Sequence, residues 1–380
     1  MFVRVVSKAK WRMPLLALAA TAVMAVLMKW PQATATGVSR GLSICTTVII
    51  PSLFPFLVVS GFVVKAGIGQ YIGMRLEKPI RWLFGLPGCA ACAIVLGFIG
   101  GYPAGSIATC ELLKQGAVTN EQAKRMLRFC VCGGPAFVIS AVGVGMLGSR
   151  AYGTVLFVAH VLAACIIGIA GRRSAKSEPA PLPIATKPSV SVSTALVDAV
   201  NNACRSLLYM CGFVVLFAAI LSLADAMGIT ALIRRLLSAP FGQEIPALKS
   251  IFPLLLEVSC GCLEAVSSGA ATPLMLGLAI GWGGLSVHCQ IAATVNGEKL
   301  LDSGFWGARA LHGLLTGIIA TGLLRIWPIS VSTGTAGNTI VQPFAGSAVS
   351  AVALLAVCAM LLLVTENGRT KLKIDIAKRR

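Results

Sequence analysis

Charged residues are scarce in this chain, and acidic and histidine residues are the scarcest of them. Only 12% of the 380 residues are charged, and the chain has 13 acidic residues and 3 histidines. An ordinary globular domain is roughly 25% charged. The sequence also lacks the H-E-x-x-H and P-loop motifs. We therefore expect no zinc-protease or nucleotide-hydrolysing chemistry, and no enzymatic activity.

Long apolar segments take the place of the missing charge. Hydrophobic residues make up 57% of the chain, and its mean hydropathy is +0.86. Uncharged runs of spanning length recur at residues 41–64, 82–110, 129–149, 151–171, 206–224, 265–297 and 326–365. Since a helix needs about 20 apolar residues to cross a bilayer, the sequence predicts an all-α polytopic membrane protein with about eight spanning helices.

The distribution of basic residues predicts the orientation. A net charge of +19 could suggest a nucleic-acid partner, but the 32 Lys and Arg residues lie mostly between the apolar runs. With cytoplasmic N- and C-termini, most of them fall on the inside, as the positive-inside rule requires. We expect no nucleic-acid partner, a first helix that is retained rather than cleaved, and a basic tail that contacts anionic membrane lipids.

Two apolar stretches contain residues that interrupt a helix. They read GFIGGYPAGS at 97–106 and GCLEAVSSG at 261–269. Irregular backbone at membrane depth persists only where protein or a watery cavity satisfies its polar groups. A matched pair of such breaks in two halves indicates a transporter's binding site. Re-entrant helical hairpins are therefore predicted near 86–110 and near 250–272.

The two halves are predicted to form an inverted repeat. Glycine pairs at 133–134 and 283–284, and then His160 and His312, recur in the same order in both halves. Opposite orientation of the halves brings the hairpins in from opposite faces, with their tips near the midplane. The predicted organisation is an N-terminal helix and loop (1–40), a first membrane repeat (41–171), a proline-rich cytoplasmic linker (172–196), a second membrane repeat (197–325), and a last helix with a basic cytoplasmic tail (326–380).

Candidate solute-binding residues follow from these breaks. Glycines let backbone N–H groups approach a solute, the start of a half-helix carries partial positive charge, and acidic groups in membrane segments are functional by default. The candidates are Gly101, Tyr102, Pro103, Gly105, Ser106, Gly134, Glu257, Ser259, Glu264, Ser268, Gly284, His288 and Gln290.

Two of these candidates have a predicted role in coupling. We expect Glu264 to bind a coupling cation or proton, and His288 to relay a proton or donate to an anionic solute. Structural alternatives stay open: close helix packing for the glycines, a solvated Glu257 near the interface, and a His288 bonded to a backbone carbonyl. For His160 and His312 the structural interpretation is preferred.

The 13 cysteines are expected to be packing residues. The spacings C-A-A-C at 89–92, C-V-C at 130–132 and C-G-C at 260–262 resemble metal sites, but no histidine is near them in sequence. Structural zinc requires four protein ligands, whereas free cysteine in an apolar segment behaves as a small hydrophobe. No metal and no cofactor are expected.

Five motifs carry a family resemblance: PSLFPF at 51–56, GFIGGYPAGS at 97–106, GPAF at 134–137, LLEV at 255–258 and GWGGLSVH at 281–288. They resemble the YlbJ-type sporulation integral membrane proteins, which belong to the wider nucleoside-recognition or Gate-domain group. That group is similar to concentrative nucleoside transporters in its re-entrant hairpins. The resemblance covers residues 40–325.

The resemblance implies a role in endospore formation, in a forespore or mother-cell membrane of the bacterial inner-membrane type. It also implies a transporter that moves a small solute, with dipicolinate as the suggested one, between mother cell and forespore. The chain departs from the family pattern in reading CVCGG at 130–134 and Ser259-Cys260, which removes amide groups from the expected site. Two alternatives therefore stay open: a nucleoside or nucleobase carrier, and a non-transport scaffold or gating partner in a spore-envelope complex.

Overall fold

The computed structural model describes residues 2–65, 68–172, 191–242, 245, 248–295 and 299–329. Within these ranges the chain is helical and contains no strand. Its α-helices are α1 (Phe2–Lys29), α2 (Pro31–Ile44), α3 (Ile50–Lys65), α4 (Ile68–Phe84), α5 (Ala90–Gly100), α6 (Tyr102–Lys114), α7 (Asn120–Cys130), α8 (Arg150–Gly171), α9 (Val192–Ala226), α10 (Ile229–Ser238), α11 (Leu248–Leu256), α12 (Val258–Ser267), α13 (Pro273–Trp282), α14 (Gly284–Val295) and α15 (Ser303–Ile326). Two π-helical segments, Cys45–Ile49 and Ala136–Met146, complete the helical elements used below.

Several helices have the length and composition of membrane spans. In the described part of the chain these are α8, α9, the run Pro273–Val295 formed by α13 and α14, and α15. A fifth is obtained if Met13–Lys29 and Pro31–Ile49, which are bent by 92°, count as one span. The all-helical membrane class is confirmed, while eight spans and an inverted repeat stay predictions. The last helix and basic tail from residue 330, and linker residues 173–190, lie outside the described residues.

The N-terminal region differs from expectation in one respect. Residues 31–40, for which a loop is predicted, form the start of α2. Proline is favoured at the first position of a helix, since its missing N–H would have no partner there, and Pro31 occupies that position. Helix α2 continues through the first π-helical segment into α3, and α9 packs along both α2 and α3.

The first predicted hairpin region folds as two short helices joined at a single residue. Helices α5 and α6 pack against each other, and Gly101 between them adopts a φ of +88°, which favours glycine. Gly97 and Gly105 face each other across the hairpin, so that a Cβ on Gly105 would lie 2.8 Å from the Gly97 Cα. The turn of this first hairpin is thus Gly101.

The second hairpin turns earlier in the chain than its glycine motif suggests. Helices α11 and α12 pack against each other, and the extended residue between them is Glu257. Pro253 cannot supply a helical N–H in α11, and the Glu257 side chain caps α12, so the helix restarts there. The 261–269 motif forms the second arm, in which Gly261 packs on Leu254 of the first arm.

Each half also contains a broken helix that contacts its own hairpin turn. The backbone unwinds after α7 at residues 131–134, and it breaks between α13 and α14, where Gly284 has a φ of +78°. A Cβ on Gly134 would lie 2.7 Å from the Ile99 carbonyl oxygen at the first turn. A Cβ on Gly284 would lie 3.0 Å from the Glu257 nitrogen at the second turn. The two halves therefore share one arrangement, a hairpin turn packed on a glycine break.

Candidate solute site between the hairpin turns

A small cavity of about 30 Å³ lies between the two hairpin turns. This volume is room for an ordered water rather than for a bound solute, whose sites measure roughly 300–1,000 Å³, so a solute would need the turns to separate. Both turns, both broken segments, α3 and α9 contribute to its wall. The lining residues are Ile49, Leu53, Leu57, Gly100, Gly101, Tyr102, Pro103, Gly134, Phe137, Met210, Val214, Glu257, Val258, Ser259, Ser286, Val287 and Gln290.

The cavity has an apolar side and a polar side. Aliphatic residues of α3 and α9, with Phe137, form surfaces against which a flat ring can pack. The polar side chains come mainly from the second half of the chain and are Glu257, Ser259, Ser286 and Gln290. Tyr102 also lines the cavity, and its hydroxyl donates a hydrogen bond to the Ile280 carbonyl at 2.7 Å. The cavity wall is therefore polar mainly on the side of the second half of the chain.

Glu257 is the single charged residue among those that line the cavity. Its side chain is buried, with 1% exposure, and its Oε2 accepts a hydrogen bond from the Cys260 N–H at 2.7 Å. The carboxylate therefore caps the start of α12 and faces its partial positive charge. Among the ion pairs of the described residues, none involves Glu257.

The first turn presents the opposite electrostatic character. Helix α6 begins at Tyr102, and its N-cap Gly101 supplies no side-chain cap. An uncapped helix start directs backbone N–H groups and partial positive charge outward. The cavity is thus bounded by an uncapped helix end on one turn and by a carboxylate on the other.

The cavity brings together part of the predicted site. Gly101, Tyr102, Pro103, Gly134, Glu257, Ser259 and Gln290 line it. Gly105 and Ser106 lie deeper in the first hairpin, where the Ser106 hydroxyl donates to the Pro103 carbonyl at 2.8 Å. Gly284 contacts the backbone of Glu257 and has no place in the cavity wall.

Glu264 and Ser268 lie away from the cavity, at the far end of α12. Glu264 forms an ion pair with Arg40 at 3.6 Å, and the Glu264 side chain is 31% exposed. The Ser268 hydroxyl donates to the Glu264 carbonyl at 2.7 Å, which satisfies the end of the helix. Because the hairpin turns at Glu257 rather than within 261–269, the carboxylate that reaches the cavity is Glu257.

His288 points away from the cavity into an aromatic cluster. Its ring centroid lies 4.4 Å from that of Trp282, 4.7 Å from Trp306 and 5.8 Å from Phe305. The side chain is 2% exposed, and neither ring nitrogen has a hydrogen-bond partner of good geometry in the described structure. Its helix instead presents Ser286, Val287 and Gln290 to the cavity.

Two features of this region escape the sequence reasoning. Ser286, in the GGLSVH motif, lines the cavity, and its buried hydroxyl has no hydrogen-bond partner in the part of the chain that the structure describes. Arg309, on α15, is 1% exposed and donates to the Val131 carbonyl and to His312. A basic residue within an apolar helix of 24 residues is the signal that could have identified Arg309.

The two equivalent histidines meet in a network that we call the histidine clasp, formed by His160, His312, Arg309 and Thr316. His312 Nε2 donates to the His160 carbonyl at 2.9 Å, and its Nδ1 accepts from Arg309. His160 Nε2 accepts from the Gly133 N–H at 2.9 Å, and its Nδ1 lies 3.4 Å from the Thr316 hydroxyl. The clasp therefore holds the broken segment 131–134 between α8 and α15.

The geometry of the clasp also bears on metal binding. The ligand atoms of Cys132, His160 and His312 lie within 4.8 Å of one another, a proximity that the sequence spacing does not indicate. However, all four imidazole nitrogens already have partners, and the Arg309 guanidinium would repel a cation. The arrangement favours a hydrogen-bonded structural role.

These elements define the class: the protein is an all-helical integral membrane protein with a buried cavity between two helical hairpins. The chain is 26% identical over 329 residues to the sporulation integral membrane protein YlbJ of Bacillus subtilis (strain 168), and the alignment covers 80% of each chain. This similarity supports the YlbJ-type assignment that the motifs predict, and with it a membrane protein of sporulation. No protein-family model matches the chain, and no solved structure matches it.

Proposed function

We propose that this protein is a carrier that moves a small solute across a membrane during endospore formation. The observation that carries the proposal is the cavity itself, which is lined by both hairpin turns and by the broken segments that follow them. Unwound backbone at the meeting point of two hairpins is typical of carrier binding sites.

The charged contacts support hairpins that enter from opposite faces. Arg128 pairs with Asp302 at 2.8 Å, and Arg172 donates to the Trp82 carbonyl, so these contacts join the segment after the first hairpin to the start of α15 and the start of the linker to the end of α4. Arg40 pairs with Glu264 at 3.6 Å, which joins α2 to the second arm of the second hairpin. In the proposed topology the base of the first hairpin is cytoplasmic and that of the second is external. Both termini are then cytoplasmic.

The proposed architecture is an inverted repeat with re-entrant hairpins and about eight spans, the number that the apolar runs predict. Two backbone contacts support it. Gly134 packs on the first hairpin turn and Gly284 packs on the second, and in both halves the glycine follows its hairpin in the chain. The stacked rings of His160 and His312, with centroids 4.3 Å apart, lie between the equivalent helices α8 and α15.

Dipicolinate is the solute that we propose first. Once the turns separate, its flat ring can pack on the apolar residues of the cavity, and a carboxylate can approach the uncapped start of α6 at Gly101. The carboxylate of Glu257 opposes an anion in a buried site, so this solute requires that the charge of Glu257 be neutralised.

A nucleoside or nucleobase carrier is the second candidate, and the absence of a basic side chain among the lining residues favours it. A neutral heterocycle would avoid repulsion from Glu257. Gln290, Ser259 and Ser286 can exchange hydrogen bonds with ring nitrogens and hydroxyls.

Uptake into proteoliposomes tests the proposal. We expect saturable uptake of radiolabelled dipicolinate, with uridine and adenosine as competitors that identify the second candidate. Val287→Trp fills the cavity and should abolish uptake, since Val287 lines it and is 4% exposed. Val158→Trp, at an α8 position that is 43% exposed, is the matched control and should transport normally. Lack of saturable uptake of all these solutes, by protein that still supports sporulation, would favour the scaffold.

A further inference from the structure

We propose that Glu257 is the proton-binding site of this carrier, and that one proton enters the cavity together with an anionic solute. The inference deepens the carrier function proposed above and depends on it for the role of the proton. It moves the coupling role from Glu264, where the sequence suggests it, to the turn of the second hairpin. Four features of the described residues support it: burial, charge, free hydrogen-bonding capacity and position.

Burial and charge make Glu257 an uncompensated anion. The side chain is 1% exposed in a helix hairpin at membrane depth, and it forms no ion pair among those of the described residues. The titratable groups that face it are Tyr102 on α6, Cys45 in the first π-helical segment, and Cys260 and Cys262 on its own helix. None of these is a cation at neutral pH. A carboxylate in such a place is stabilised most simply by a proton.

The cavity offers hydrogen-bonding groups for the protonated form. Oε2 of Glu257 accepts from the Cys260 N–H at 2.7 Å, and Ser259 and the Cys260 side chain also interact with the carboxyl group. A carboxylic acid can keep these donors and direct its own O–H into the cavity. Ser286 lines the same cavity, and its hydroxyl is buried without a hydrogen-bond partner among the described residues. Gln290 supplies a second acceptor on the same helix.

The position of Glu257 links its charge to the solute. An anion held near the start of α6 would share a low-dielectric cavity with the carboxylate, and the two charges repel there far more strongly than in water. Protonation removes the repulsion, so that solute and proton bind better together than separately. The proton is taken from water on one face and released to water on the other, and no covalent bond of the solute changes.

The position also links the proton to the shape of the hairpin. Glu257 is at once the turn, the N-cap of α12 and the residue on which Gly284 packs. A charged cap interacts with the helix dipole more strongly than a neutral one. Protonation of Glu257 therefore loosens the turn as the solute binds. Protonation of Glu264 would not affect the turn, because Glu264 pairs with Arg40 at the other end of α12.

A cation other than a proton is the alternative outcome. Calcium takes six to eight oxygen ligands and magnesium about six, usually with more than one carboxylate or several waters. Glu257 is the single carboxylate among the residues that line the cavity. The lining thus favours a proton, and the experiment below includes the ion dependence.

Infrared spectroscopy tests the site directly and without any solute. Full-length protein in lipid nanodiscs is compared at alkaline and acidic pH, and the carbonyl stretch of a protonated, buried carboxylic acid is followed. We expect this band in the wild type and in Glu264→Gln, and its loss in Glu257→Gln. A band that survives unchanged in Glu257→Gln overturns the proposal. If that variant does not fold, Glu257→Asp should shift the band rather than leave it in place.

Proton movement tests the coupling. Proteoliposomes with a pH dye inside receive external dipicolinate without a pH gradient. The wild type and Glu264→Gln should acidify the lumen, whereas Glu257→Gln should fall to the level of protein-free vesicles. Uptake that requires sodium and moves no protons overturns the proposal. A pH-dependent band without transport of any probe would instead refute the carrier function and leave the proton site standing.

Discussion

The imidazole rings of His160 and His312 stack face to face, with centroids 4.3 Å apart and planes inclined by 12°. The predicted repeat gives them matching positions in the two halves of the chain, and each bonds to a group of the other half. His312 donates to the His160 carbonyl, and His160 lies within reach of Thr316. The pair joins α8 to α15 beside the unwound segment 131–134. The clasp thus fixes part of the cavity wall without lining the cavity.

Removal of either histidine should destabilise the fold, and the two effects should not add. His312→Ala removes the hydrogen bond that the Arg309 guanidinium donates to His312 and the one that His312 donates to the His160 carbonyl, and we expect a loss of about 1–3 kcal/mol for a buried group left unpaired. SDS-induced unfolding of the purified protein measures the loss. The double variant with His160→Ala should be less destabilised than the sum of the single variants. Strictly additive effects would contradict a shared clasp.

Metal chelation should leave the protein unchanged. All four nitrogens of the clasp have partners, so the cluster of Cys132, His160 and His312 has no free ligand for zinc. We expect the melting temperature of the wild type to stay the same in excess EDTA and after addition of zinc. The melting temperature of Cys132→Ser should likewise not respond to either addition. A melting temperature that rises with zinc and falls with EDTA would show that the clasp opens to bind the ion.

The contacts between hairpin turns and glycine breaks predict a strong effect of a single methyl group. Gly134→Ala would place a Cβ 2.7 Å from the Ile99 carbonyl, and Gly284→Ala would also strain a residue with a φ of +78°. Both variants should lower the melting temperature and abolish solute uptake.

Gly322→Ala on α15 is the matched control, because a Cβ there meets nothing within 4 Å. Replacing glycine by alanine within a helix stabilises by roughly 0.5–1 kcal/mol, so this variant should be unchanged or slightly more stable. Equal behaviour of the three variants would show that the turns do not pack on the breaks.

The Arg128–Asp302 contact predicts an acid-sensitive stability. Partial burial raises the pKa of Asp302, but hydrogen bonds from the Phe305 N–H and from Arg128 lower it more, and the net pKa lies below the ordinary 3.8. A carboxyl whose pKa is lowered on folding contributes stability above its unfolded pKa and loses it as the pH falls. We expect part of the thermal stability to disappear below about pH 4. Asp302→Asn should remove that part of the pH dependence, and an unchanged pH profile in this variant would contradict the contact.

Much of the fold is predictable from the sequence because membrane depth imposes it. Long apolar runs favour helices, and the Gly-Gly-Tyr-Pro motif interrupts one, so the helical class and a break within 97–106 follow, whereas the position of the turn at Gly101 does not. Tyr102, Pro103 and Gly134 reach the cavity for the same reason.

The position of the second hairpin turn cannot be read from the spacing of the glycines, because two sites could interrupt the helix. Both Glu257 and the 261–269 glycines could interrupt a helix, and the side-chain cap of Glu257 and Pro253 of α11 decide between them. Because the turn lies at Glu257, the 261–269 segment forms the second arm of the hairpin, and Glu264 lies away from the cavity. The rotation of α14, which sends His288 toward Trp282 and Trp306 while Ser286 faces the cavity, depends on tertiary packing alone.

The meeting of His160 with His312 and Cys132 likewise lies beyond local sequence. The residues are far apart in the chain, and only the packing of α8 on α15 brings them together. The partners of the buried Arg309 guanidinium also depend on tertiary packing. They are the carbonyl of Val131 and the ring of His312.

The most direct test of the central claim is solute-dependent stability of the purified full-length protein. Thermal unfolding is measured with increasing dipicolinate, and separately with uridine, for the wild type, Val287→Trp and Val158→Trp. A ligand present at about 100 times its Kd stabilises a protein by about 2.7 kcal/mol. We expect one of these solutes to raise the melting temperature of the wild type and of Val158→Trp in a saturable manner. The melting temperature of the cavity-filled Val287→Trp should not change. An equal rise in all three proteins, or no rise with either solute, would contradict a solute site between the hairpin turns.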